Sequence, residues 1–172
     1  MSLTRRVRGG LGLVALVVAM QAVAADPTDS DETETLPLRV YTEDGGYAFR
    51  VEAARTLPER SRGLMEREQL DEDAGMLFLY RETQSGRNGF WMYRTRIPLD
   101  IAFIDEAGRI ASLHTMQPCD SEQAADCPVT RPLTPYAAAL EVNAGTFERL
   151  GIQEGDCVSW PGNEAFCRPP EE

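Results

Sequence analysis

Apolar and polar positions alternate in short bursts over most of this chain. Tyr47-Ala48-Phe49-Arg50-Val51 has the period of two that marks a half-buried strand, and Leu38-Arg39-Val40-Tyr41 reads as a strand before it. Between them, Glu43-Asp44-Gly45-Gly46 supplies the residues a tight hairpin turn needs. The period then changes. Thr56 is placed as a helix N-cap, with Pro58 in the first turn and Glu59 completing a capping box. Gly63 interrupts the far end, so this helix is short. From Met76 the pattern is β again. Met76 to Tyr80 is a continuous apolar run, and Phe90-Trp91-Met92-Tyr93 is aromatic and strand-prone. Leu99 to Ile104 is apolar except for Asp100, and Arg109 to Met116 alternates after a turn at Glu106-Ala107-Gly108. Gln117 to Pro135 is a long polar excursion. Tyr136 to Val142 predicts another strand, Ala144 to Leu150 a short helix, and Asp156 to Trp160 the last strand. Gly151 to Asp156 reads as the turn into it. About eight strands and two short helices predict a mainly β fold, a small antiparallel β-sandwich or barrel.

The two ends differ from this pattern. Arg5, Arg6 and Arg8 precede a short apolar run from Gly9 to Met20, and Ala22-Val23-Ala24 supplies small residues for a cleavage site. Residues 1–24 therefore read as a secretory signal peptide, too short to span a bilayer comfortably. Residues 25–35 carry Asp26, Asp29, Asp31, Glu32 and Glu34 with nothing basic, which predicts a disordered acidic linker. Residues 36–162 form the single β domain, and 163–172 a tail tied by Cys167. Cleavage after Ala24 takes the charge from −11 to −14, because it removes three Arg and no acid. The expected location is the periplasm or the medium, with no stable membrane span after cleavage.

Composition narrows the chemistry. The chain of 172 residues has 28 acidic and 17 basic side chains, every basic one Arg. Such acidity opposes nucleic-acid binding, which needs clustered positive charge. The absence of Lys excludes a P-loop lysine, a Schiff-base lysine and a Ser-Lys dyad. One His excludes paired-His zinc motifs. Ser112 lies two residues before His114, but no G-x-S-x-G elbow accompanies them. Export makes disulfides the default for Cys119, Cys127, Cys157 and Cys167. Four cysteines allow three pairings, and the local one, Cys119 with Cys127 and Cys157 with Cys167, is favoured. Each closes a loop of about ten residues, a stabilisation of roughly 2.5 kcal/mol on the chain-entropy estimate. No cofactor is implied.

Three segments carry a resemblance. They are Arg62-Gly63-Leu64-Met65 with Arg67, then Gly75-Met76-Leu77-Phe78, then Phe90-Trp91-Met92 through Thr95 and Ile97-Pro98-Leu99-Asp100. With Leu140-Glu141, Ala144-Gly145 and Gly151 to Gly155, their order and spacing resemble the domain of unknown function 192 family over roughly residues 38 to 160. The resemblance implies a compact, mostly β domain, often exported in bacteria, and no established activity, substrate or cofactor. The family pattern has Lys and Asn after Trp-Met, where this chain has Tyr93 and Arg94.

The residues themselves point to the same region. Asp100 is the one charge in a very apolar strand, and a buried carboxylate must be paired or hydrogen-bonded. An Arg pair from Arg62, Arg67, Arg94 or Arg96 would satisfy it, and so would backbone N–H groups. Glu141 also sits among apolar neighbours. The candidate ligand-binding set is Arg62, Arg67, Trp91, Arg94, Asp100 and Glu141, in a module that binds a small molecule, a glycan or a protein at the cell envelope rather than transforming it. Two other classes compete. One is a glycan-acting hydrolase using Asp100 and Glu141 as its carboxylate pair. The other is a periplasmic Cu(I)-binding protein using Met65, Met92, His114 and Met116, with Trp91 capping the ion. Core packing is the ordinary use of such methionines, Met76 included.

Overall fold

The computed structural model describes residues 34–163. The expected signal peptide, most of the acidic linker and the tail with Cys167 lie outside the described residues. The elements are β1 (Thr35–Thr42), β2 (Gly45–Ala54), α1 (Leu57–Arg62), β3 (Ala74–Gln84), β4 (Phe90–Trp91), β5 (Leu99–Ile104), β6 (Ile110–Met116), β7 (Val129–Thr130), β8 (Tyr136–Asn143), α2 (Thr146–Leu150) and β9 (Cys157–Ser159). The mainly β fold read from the pattern is the fold found. β1 begins at Thr35, inside the stretch expected as linker, and the Ala53 N–H reaches back to the Glu34 carbonyl at 2.7 Å.

Seven strands form one curled sheet in the order β6-β5-β8-β3-β2-β1-β9, and β4 pairs with β7 in a second, two-stranded sheet. The pairing is antiparallel except between β2 and β3, which run parallel. The chain between them includes α1, long enough to return to the sheet's starting end. α1 starts as its sequence predicts. The Thr56 hydroxyl accepts from Glu59 N–H, and the Glu59 carboxylate accepts from Thr56 N–H at 2.7 Å. The sheet curls until the β9 end of the chain meets the start of β6 and the turn before it: Val158 N–H donates to Gly108 O and Ile110 N–H to Asp156 O.

One hydrophobic cluster draws buried residues from all seven strands, among them Val40, Phe49, Leu77, Ala102, Ile110, Leu140 and Val158. It fills the inside of the curl. A second cluster lies on the outer face of β3, β8 and β5, where Met76, Phe78, Ile101, Phe103 and Ala139 are covered by Leu64, Met92 and Leu70 from irregular segments. β5 is buried at all six positions because it has a packed layer on each side. β3 and β8 are antiparallel neighbours, and their backbones approach closely at Gly75. A side chain at Gly75 would put its Cβ 2.4 Å from the Glu141 carbonyl oxygen, so only Gly fits there. β7 lies within the segment expected as a loop, a two-residue strand between Pro128 and Pro132. Those prolines cannot donate to a ladder, so the local pattern does not announce it. No helix among the described residues is long and apolar enough to cross a membrane.

Candidate functional site

The candidate residues separate by sheet face. Asp100 pairs with Val142 and Ile101 with Glu141, so the Asp100 and Glu141 side chains leave the sheet on opposite sides. They do not flank a common bond, and the carboxylate-pair arrangement expected for a glycan hydrolase is not formed.

Asp100 is on the inner face. Its Oδ1 accepts from the Thr115 hydroxyl at 2.7 Å, and its Oδ2 accepts from Phe147 N–H at 3.2 Å. Phe147 is the second residue of α2, and α2 begins after Gly145 without a side-chain cap of its own. Asp100 supplies the acceptor from across the fold. The contact anticipated with an Arg guanidinium is replaced by a hydroxyl and a backbone N–H, because the candidate arginines belong to segments covering the other face.

Glu141 is buried on the outer face, between Met76 of β3 and Ile101 of β5 in register. No described residue hydrogen-bonds its carboxyl. Removal from water pushes its pKa up to about 8, so the group is a neutral acid at neutral pH. The same cross-strand row continues through Met76 to Glu52 and through Ile101 to His114. Glu52 takes the cation on that side: Arg67 Nη2 lies 2.6 and 2.7 Å from its two oxygens. His114 packs its ring edge-on to Phe103 at 5.9 Å, and its buried Nε2 has no hydrogen-bond partner among the described residues. Tyr80 lies near Glu141, and burial beside Tyr136 pushes its phenol well above the ordinary range.

The remaining arginines stay on the surface. Arg62 ends α1 and is exposed. Arg94 pairs with Glu66 at 3.8 Å, and Arg96 with Glu66 at 3.3 Å and Glu68 at 2.6 Å. Glu66 N–H donates to Arg94 O at 2.7 Å, and both residues have positive φ, 64° and 57°. The left-handed region is entered most easily by Gly and Asn. Arg94 takes that conformation without being either residue, held by its backbone contact with Glu66.

What the structure does assemble around the tryptophan is a platform. Trp91 is 43% exposed and Val129, its partner across β4 and β7, is 38% exposed. The Tyr93 ring lies 5.8 Å from the Trp91 ring, and the Arg94 guanidinium sits 5.4 Å over Tyr93. A bridge joins Tyr93 to Cys119, which is disulfide-bonded to Cys127 as the local pairing expected. Cys157 is also disulfide-bonded. The Tyr93 hydroxyl donates to Glu122 O at 3.3 Å, inside the stapled loop. Tyr93 and Val129 were not singled out by sequence. The available signal was the i, i+2 spacing of Trp91 and Tyr93.

The thioethers serve packing. Met76, Met92 and Met116 are buried in the outer cluster, and Met65 is half-buried. Met76 and Met116 stand three strand spacings apart, roughly 14 Å. His114 Nε2 is buried whereas Trp91 is exposed. Among the described residues no group of three or more His, Cys, Asp or Glu side chains is placed to hold a metal ion.

Comparison with known proteins places the chain in one family. The DUF192 family model, described as an uncharacterised ACR, matches residues 39–160. A solved structure from Sinorhizobium meliloti, described as a candidate transcription regulator, is 36% identical with a TM-score of 0.68, covering 76% of this chain and 96% of its own. A protein of unknown function from Novosphingobium aromaticivorans is 33% identical with a TM-score of 0.66, covering 87% and 100%. No curated protein matches the chain.

Two outcomes follow for the buried acids. Asp100→Ala strands the Phe147 N–H and is expected to lower unfolding free energy by about 2 kcal/mol. Asp100→Asn should cost less, because its carbonyl still accepts and the Thr115 hydroxyl can turn to accept in exchange. Urea denaturation of both variants checks that order. Glu141 ionises near 4.5 when unfolded and at about 8 when folded. Its stability contribution is therefore full below 4.5 and lost as pH rises through 8. Relative to wild type, Glu141→Gln should gain a few kcal/mol between those limits. Parallel stability–pH curves for the two proteins would show that Glu141 is not a buried neutral acid.

Proposed function

Since the chain belongs to the DUF192 family, we propose that it is an exported binding module that holds glycan chains of the cell envelope on the Trp91–Tyr93–Arg94 platform. The observation that carries this reading is the platform's construction. A tryptophan left 43% exposed, next to a second ring and a stacked guanidinium, is a face that water covers poorly and a sugar ring covers well. Its backing is rigid for so small a sheet, because the Cys119–Cys127 bond and the Tyr93 bridge tie it to the loop beneath. A platform held in place before binding loses little entropy when it binds.

Three features support export. The first 24 residues have the charge, apolar core and small residues of a cleaved leader. The Cys119–Cys127 disulfide suits an oxidising compartment. The acidity of the chain suits a solvated envelope protein, and a net charge of −11 opposes the DNA contact that the Sinorhizobium description would suggest for a transcription role. The placement of Asp100 and Glu141 on opposite faces counts against the carboxylate-pair hydrolase reading.

Tryptophan fluorescence tests the reading, because the other tryptophan, Trp160, is packed on the inner core. Titration with chitotetraose, cellotetraose or maltotetraose is expected to shift the emission saturably with at least one of them. Trp91→Ala should weaken that binding about tenfold or more, as anchor aromatics do, with the melting temperature nearly unchanged. Binding as tight in the variant, or silence with every oligosaccharide, sinks the proposal. Export is checked separately: the chain recovered from the periplasm should begin at Ala25.

A further inference from the structure

A second surface lies on α1 and β3, elements that contribute nothing to the Trp91 platform. Between them runs a groove of about 690 Å³ lined by Arg55, Leu57, Arg60, Tyr80, Arg81 and Glu82 among others. That volume is in the range of small-molecule sites. In a chain where acids outnumber bases 28 to 17, these six lining residues reverse the balance.

The state of each cation matters more than the count. Arg55 is engaged by Glu34 at 2.9 Å. Arg60 is held without an acid. Its Nη1 donates to the Leu79 carbonyl at 3.1 Å and to the Arg55 carbonyl, and its guanidinium lies 4.9 Å over the Tyr80 ring. Those contacts orient the charge, which Glu59 feels only from beyond ion-pair distance. The neighbouring acid, Glu59, has its Oε2 committed to the Arg55 and Thr56 N–H groups. Arg81 is exposed, and among the described residues neither it nor Arg60 has an ion-pair partner. Beside them Leu57 is 70% exposed, an apolar side chain in the first turn of α1 with nothing packed over it.

We propose that this groove binds a small carboxylic acid with an apolar body, its carboxylate on Arg60 and Arg81 and its body against Leu57 and Tyr80. A planar guanidinium with free N–H groups offers a carboxylate two parallel charge-assisted hydrogen bonds. Arg60 is already oriented by backbone carbonyls, so little side-chain freedom is lost on binding. The exposed leucine and the tyrosine ring select for an acid with a body over a bare anion. Bare phosphate would gain the charge contact and leave the apolar wall in water.

The test is a titration of the ¹⁵N-labelled full chain with sodium benzoate, sodium acetate and inorganic phosphate at constant ionic strength. Benzoate is expected to move the amide signals of Leu57, Ser61 and Arg81 saturably and to bind about tenfold more tightly than acetate. Arg81→Gln, at an exposed position, should weaken benzoate about fivefold while signals outside the groove keep their positions. Leu57→Ser should remove the preference for benzoate over acetate and leave acetate binding as it was. The proposal is overturned by the absence of saturable shifts with benzoate, by phosphate saturating the groove where benzoate does not, or by equal benzoate affinity in Arg81→Gln.

Discussion

All six side chains of β5 are out of water, and the rest of the molecule depends on that. A strand buried on both faces needs a packed layer on each. The curl of the seven-stranded sheet supplies the inner layer from its own residues. The outer layer comes from irregular chain: the segment around Leu64 and Leu70, the stretch from Phe90 to Ile97, and the stapled loop that reaches Cys119. Such segments make few ladder hydrogen bonds, so other devices hold them. Glu66 and Glu68 anchor Arg94 and Arg96, a disulfide closes the loop, and two residues each of β4 and β7 pair. The segments that close the second core are therefore also those that display Trp91 and Tyr93. This links the family motifs to the Trp91 platform without making each one part of it. Leu64, Met76 and Met92 are motif residues whose work is burial.

The two acids inside the fold show how much one residue of register changes. Asp100 meets two donors and behaves as a fixed structural acceptor for α2. Glu141, one position out of phase on the neighbouring strand, meets Met76 and Ile101 and no donor. Equal chemistry thus gives a satisfied acid on one face and a neutral, proton-holding acid on the other. The low polarity that suits hydrocarbon on the outer face is what raises the Glu141 pKa.

The arginines repeat one construction at two places. Arg94 lies over Tyr93 on the platform, and Arg60 over Tyr80 in the groove. A guanidinium stacks on a ring while keeping its N–H edge free, which an ammonium does less well. A chain whose cations are all Arg can therefore set charges on aromatic surfaces in fixed orientation. The two differ in their surroundings: Arg94 is also paired with Glu66, whereas Arg60 has no ion-pair partner among the described residues.

Local pattern alone determined most of the elements. Period two marks β1, β2 and β6. The Thr56–Glu59 capping box starts α1. The isolated charge in an apolar run marked Asp100 and Glu141 as acids that must be accounted for, and the spacing of the cysteines favoured the Cys119–Cys127 bond. These signals are local because they arise from backbone geometry and from neighbours a few residues away. Tertiary structure decided the rest: the parallel pairing of β2 with β3, the short β7, the opposite faces of Asp100 and Glu141, and the Glu52 partner of Arg67. Each depends on which residue of one strand stands opposite which residue of another. Register couples positions far apart in the chain, such as Ile101 with Glu141, and no window along the sequence contains both.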